Sequence, residues 1–108
     1  MTDIVDPALE AYATEHTTAP PAYLEELAAD LHRTLPSPHM MVGRLEGRYL
    51  ELLVFALGAR RVLEIGTFGG YSALSMAPGL VPGGRITSVS VCGPVKKYCS
   101  CAHSSICA

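Results

Sequence analysis

Val62-Leu63-Glu64-Ile65-Gly66-Thr67-Phe68-Gly69-Gly70-Tyr71-Ser72 is the stretch that decides how this chain is read. Aliphatic residues run up to an acid, a glycine-rich turn follows, and a hydroxyl residue opens a second apolar stretch. Arg61–Ile65 is too short for a helix and rich in aliphatics, which predicts a strand buried on both faces. From Gly70 to about Ala77 the pattern predicts a helix, stopped by Pro78-Gly79. A buried strand that hands a glycine loop to a helix start gathers unpaired backbone N–H groups and the positive end of a helix dipole. Such a loop is built to receive a ligand.

Downstream, Pro82-Gly83-Gly84 is a turn, and the β-branched alternation from Arg85 to Val91 predicts a second strand. Upstream the spacing predicts three helices. Asp6-Pro7 starts the first, with Ala8, Leu9, Tyr12 and Ala13 on one face, and it fades at His16-Thr17-Thr18. The second runs from about Pro21 to Leu35, with Tyr23, Leu24, Leu27, Ala28 and Leu31 as its apolar face, and Pro36-Ser37-Pro38 ends it. After a loop over residues 39–43, the third runs from Arg44 to Leu57, with Leu45, Tyr49, Leu52, Leu53 and Ala56 facing inward and Gly58 as its cap. Helices followed by strand–helix–strand predict an α/β fold: N-terminal helices and then the first β-α-β unit of a doubly wound, Rossmann-like sheet.

The totals agree with one modest domain or part of a larger one. The chain has 108 residues, 49% of them hydrophobic and 17% charged, more apolar matter than a disordered tail carries. A net charge of −2 makes no case for nucleic acid or an anionic membrane as a partner. No apolar run approaches the ~20 residues of a membrane-spanning helix. Asp3 and Asp6, with no basic cluster, argue against a secretory signal, so a cytoplasmic location is expected.

The glycine loop narrows the ligand. Gly66 permits a sharp turn where a side chain would block the approach, Gly70 allows close contact at the helix start, and Ser72 adds a hydroxyl. Glu64 sets a carboxylate at the mouth, suited to a cationic group. A dinucleotide fingerprint beginning at Gly66 would need glycines where Phe68 and Tyr71 stand. A phosphate-cradling loop would need Gly-Lys-Ser/Thr where Tyr71-Ser72-Ala73 stand. A cationic cofactor without phosphates and with a ribose fits better, and S-adenosylmethionine (SAM) is the obvious one.

Here the stretch resembles motif I of class I SAM-dependent methyltransferases, in the Glu-Ile-Gly-Thr-x-x-Gly-Tyr-Ser form of the family that includes catechol and caffeoyl-CoA O-methyltransferases. A second block, Met40-Met41-Val42-Gly43-Arg44-Leu45-Glu46-Gly47, is similar to the segment that opens the helix before motif I in that family. Ala59-Arg60-Arg61 and Pro82-Gly83-Gly84-Arg85-Ile86 extend the likeness, which covers about residues 5–90.

The resemblance implies methyl transfer to a hydroxyl of a catechol-like or other small hydroxylated acceptor, commonly with Mg²⁺ or another divalent ion, and usually by a homodimer. It places Met40 and Val42 against the methionine part of the cofactor and Glu64 at its amino group. Gly66 and Phe68 would shape the loop, with Gly70, Tyr71 and Ser72 at the carboxylate. Ser90 stands where the family carries an acid for the ribose hydroxyls. A serine gives one hydrogen bond there but not the paired acceptance of a carboxylate, which predicts an affinity lower by roughly ten- to a hundredfold.

The family's catalytic base, metal ligands and acceptor pocket lie beyond this length. The 108 residues are therefore expected to lack catalysis on their own. The alternative is a non-catalytic chain that binds the cofactor weakly or associates through its helices.

A change of composition falls near Ser90. Residues 1–90 hold six basic and ten acidic residues, whereas residues 91–108 hold Lys96, Lys97 and no acid, together with all four cysteines. This predicts that 91–108 is an unrelated, disordered tail from a shifted reading frame or a mistaken gene model; translation of the other frames checks it. Cys92, Cys99, Cys101, Cys107 and His103 lack the paired knuckles of a zinc site, so no metal is assigned.

Overall fold

The computed structural model describes residues 4–89 and the backbone of Ser104–Cys107. Helix α1 spans Pro7–Glu15, α2 Ala22–Thr34, α3 Arg44–Ala56 and α4 Tyr71–Met76. Short 3₁₀ turns occupy Pro38–Met40 and Ala77–Gly79. Strand β1 is Arg61–Ile65, β2 Arg85–Val89 and β3 Ser104–Cys107. They form one sheet in the order β1-β2-β3. β1 and β2 are parallel, in register from Arg61 beside Arg85 to Ile65 beside Val89, and β3 runs antiparallel to β2. The expected α/β architecture and its first β-α-β unit are therefore present. Ser90 and the expected break beside it lie outside the described residues. Of the expected tail only the backbone of β3 is described.

Local chemistry accounts for the element ends. The Asp6 carboxylate accepts from the Ala8 N–H at 2.8 Å, and Pro7 opens α1 where its missing N–H costs nothing. After α3 the chain turns through Gly58 at φ +57°, and the Ala59 N–H returns to the Val54 carbonyl at 3.1 Å. Gly83, at φ +76°, makes the turn into β2.

Two apolar clusters hold the elements together. Val54, Ala73, Met76, Leu80 and Ile86 join α3, α4 and β2, with Leu50 and Val62 against them. Leu24, Leu31, Leu35 and Tyr71 join α2 to the start of α4, with Met41, Val42 and Phe68 packed alongside. Between α1 and α2, the Thr18 hydroxyl accepts from Arg48 Nη2 of α3 at 3.0 Å.

Three faces differ from expectation. The inward face of α3 is Gly47, Leu50 and Val54, whereas the expected Tyr49, Leu52 and Ala56 point to solvent. Gly47 decides this, because it has no side chain to hold α4 away: a Cβ there would lie 2.8 Å from Ser75 Oγ and 3.1 Å from the Tyr71 ring. On α1 no residue is buried, and Leu9 and Tyr12 are exposed, since no other element covers that face among the described residues. Among the described residues, strand β1 is covered on one face only. Leu63 and Ile65 are 65% and 76% exposed, because α3 and α4 pack on the side of Val62 and Ile86.

Candidate functional site

The site begins where β1 ends. Gly66 and Gly70 adopt φ of +93° and +86°, a region closed to most side chains. Space is open where a Cβ would project from either one, so the loop presents bare backbone toward a ligand. The Gly66 N–H donates to the Val89 carbonyl at 2.8 Å, which ties the loop to the end of β2. Gly69 instead faces inward: a Cβ there would lie 2.5 Å from Leu31 Cδ1, so the absence of a side chain lets the loop sit on α2.

Glu64 is the anchor of the loop. Its Oε1 accepts from the Thr67 hydroxyl at 2.8 Å, and its Oε2 accepts a short bond from the Ser72 hydroxyl. These bonds clamp the carboxylate across the turn, half-buried, and each oxygen keeps a lone pair for a further donor. A cationic ammonium is the donor such a carboxylate favours most.

The other expected residues divide. Val42 and Phe68 pack around Tyr71 and Leu31, so the second sequence block does meet the glycine loop. The Tyr71 side chain is 4% exposed and belongs to that cluster, which leaves its backbone N–H as the group available at the start of α4. Met40 is 64% exposed and lies outside the cluster. Ser90 is outside the described residues.

Two residues were not anticipated. Thr67 braces Glu64, and its place inside the motif was the available signal. Ser88 pairs with Glu64 across the strands, is 3% exposed, and its hydroxyl has no hydrogen-bond partner among the described residues. The alternation of β2 could have marked it as inward-facing. Among the described residues no cluster of three or more His, Cys, Asp or Glu could hold a metal ion. No helix there is long and apolar enough to cross a membrane.

Burial raises the Tyr71 pKa above its ordinary value of 10.0; nearby Arg44 lowers it and Glu25 raises it further. The neutral phenol is the form the fold accepts. Its stabilising contribution is complete below pH 10.0, the unfolded value, and is lost as pH rises through the higher folded value. Tyr71→Phe is therefore expected to flatten the alkaline limb of a melting-temperature profile; an unchanged limb would place the sensitivity elsewhere.

Comparison with known proteins follows the same outline. The family model described as O-methyltransferase matches residues 14–102. A catechol O-methyltransferase of Mycobacterium tuberculosis is 44% identical over 69 residues, covering 64% of this chain and 30% of that protein. Among solved structures, an O-methyltransferase from Bacillus cereus in complex with SAH superposes with a TM-score of 0.70 at 34% identity, over 84% of this chain and 41% of that one. The O-methyltransferase TomG from Streptomyces achromogenes, involved in tomaymycin synthesis and solved in complex with SAM, gives 0.67 at 36% identity, over 76% and 36%. The chain thus spans about a third of the length of the catechol O-methyltransferase and roughly two-fifths of these solved chains. With the model covering most of its length and the glycine loop in place, this chain belongs to the O-methyltransferase family.

Proposed function

We propose that this chain is the cofactor-binding, N-terminal part of a SAM-dependent O-methyltransferase that acts on a small hydroxylated, catechol-like acceptor. The observation that carries this reading is the Glu64 clamp beside two positive-φ glycines with open space above them. The residues suit SAM. Glu64 receives its ammonium, the N–H groups of Tyr71 and Ser72 face its carboxylate, and Val42 and Phe68 border the thioether chain. Ser88, buried beside Glu64 and short of a partner, accepts or donates one more bond in the same recess. In the sequence, Ser90 stands where the family resemblance implies a residue for the ribose.

When bound, SAM supplies an electrophilic methyl on a sulfonium. The part of this chain is to orient that methyl and keep water from it, since positioning and electrostatics provide most of the rate in such a transfer. The described residues do not assemble a cation site. We assign residues 1–90 to the methyltransferase domain. The exposed Tyr49, Leu52 and Phe55 of α3 favour association with a second copy.

Calorimetric titration of the chain with SAM tests the reading. Binding is expected, and Glu64→Gln is expected to weaken it by about ten- to a hundredfold through loss of a charge-assisted hydrogen bond. Equal affinity of the two forms would remove Glu64 from the site. Methyl transfer to a catechol by the 108-residue chain alone would show that acceptor chemistry is also present.

A further inference from the structure

Glu64 is a half-buried carboxylate without a cation. The ion pairs among the described residues are Arg33 with Asp30 and Arg48 with Glu51, so no guanidinium offsets its charge. Hydroxyls hold it instead: Thr67 donates to Oε1 at 2.8 Å, and Ser72 donates to Oε2. An arginine in their place would fix the carboxylate and neutralise it at once. Hydroxyl donors fix its plane and leave the negative charge for an incoming cation.

The two braces are not equivalent. Ser72 stands in the first turn of α4, and its unbranched side chain can turn among the staggered positions. Thr67 lies within the loop, half-buried, and its β-branched side chain is stiff at χ1. Ser88, the neighbour of Glu64 across the strands, does not help, since its buried hydroxyl makes no hydrogen bond among the described residues. The orientation of the carboxylate therefore depends most on Thr67.

We infer that Thr67 is a positioning residue for the cofactor, an inference that rests on Glu64 receiving the SAM ammonium. Its hydroxyl acts through Glu64 rather than on the ligand, turning the remaining lone pairs of the carboxylate toward the ammonium. Without that brace the long glutamate side chain has to be ordered at each binding event, which lowers affinity. The consequence is selective. Loss of the hydroxyl weakens ligands that carry the ammonium and spares those that present only the nucleoside end. Damage to the loop as a whole would weaken both.

The test is calorimetric titration of the full chain with S-adenosylhomocysteine (SAH) and with methylthioadenosine. Both are thioethers with the same nucleoside, and only SAH carries the amino-acid end. Thr67→Val keeps the branched shape and removes the hydroxyl. It is expected to weaken SAH about tenfold and methylthioadenosine by less than about twofold. Thr67→Ser restores a donor and is expected to recover most of the loss. Equal losses for the two ligands, no loss for SAH, or no recovery with Thr67→Ser would each overturn the inference. Where methylthioadenosine binds below detection, a double variant decides. With Glu64→Gln already present, Thr67→Val is expected to weaken SAH by less than about twofold, and an undiminished loss would overturn the inference. Failure of the underlying reading looks different: the unmodified chain would bind no SAH, or Glu64→Gln would bind it equally well, and both readings would fall together. Circular dichroism checks the fold, and Thr67→Ala replaces Thr67→Val should the valine unfold the chain.

Discussion

Leu31→Ala is expected to lower the unfolding free energy by about 2–5 kcal/mol, the largest stability effect of any single truncation here. Leu31 is 1% exposed and sits at the centre of the cluster that joins α2 to Tyr71. It also fills the space beneath Gly69, so removing it opens a cavity under the ligand loop as well as within the core. A small domain has a margin of only about 5–15 kcal/mol, so this loss takes up much of it. Urea denaturation followed by circular dichroism measures the effect, and the same variant should bind SAM more weakly because Phe68 and Gly69 lose their support. A loss below about 1 kcal/mol would mean that the loop does not depend on α2.

Gly79→Ala is the second large effect. A Cβ at Gly79 would lie 2.5 Å from the Glu51 carbonyl oxygen and 3.2 Å from the Phe55 nitrogen, with the Val54 Cβ at 3.3 Å. The nearest of these atoms are backbone of a helix interior, so no rotamer change relieves the clash, and α3 must move away from the turn after α4. Overpacking of this kind costs about 1–3 kcal/mol, and each kcal/mol lowers the melting temperature of a domain this size by about 4–8 °C. A thermal melt that leaves the midpoint unchanged would show that α3 and the Ala77–Gly79 turn are not in the contact described.

The parts of the site that could be read in advance are those whose cause is local. Gly66 and Gly70 had to be glycines because the turn between β1 and α4 takes the chain through positive φ. Glu64, Thr67 and Ser72 lie within one short stretch, so a strand end and a helix start suffice to bring them together. By contrast, Tyr71 was expected at the cofactor, and its side chain lies in the core because α2 and the Met41–Val42 segment offer it apolar neighbours there. The alternation of β2 sets Ser88 on the face of Ile86, but that this face is the buried one depends on what packs over β2.

The same division runs through the fold. By itself the sequence determined where the elements begin and end: the Asp6 cap, the Gly58 and Gly83 turns, and the alternation of helix and strand, each governed by a few adjacent residues. It also determined the family loop, for the same reason. Only the tertiary structure decided which faces point inward. On α3 apolar residues occupy nearly every side from Leu50 to Leu57, so periodicity names no unique face. The choice fell to Gly47 and Gly79, whose missing side chains let α4 and its following turn come close. On β1 an aliphatic run promised burial on both faces, yet burial requires a second element, and the described residues place helices on one side only. Dihedral preference is a property of neighbours in sequence, whereas burial is a property of neighbours in space.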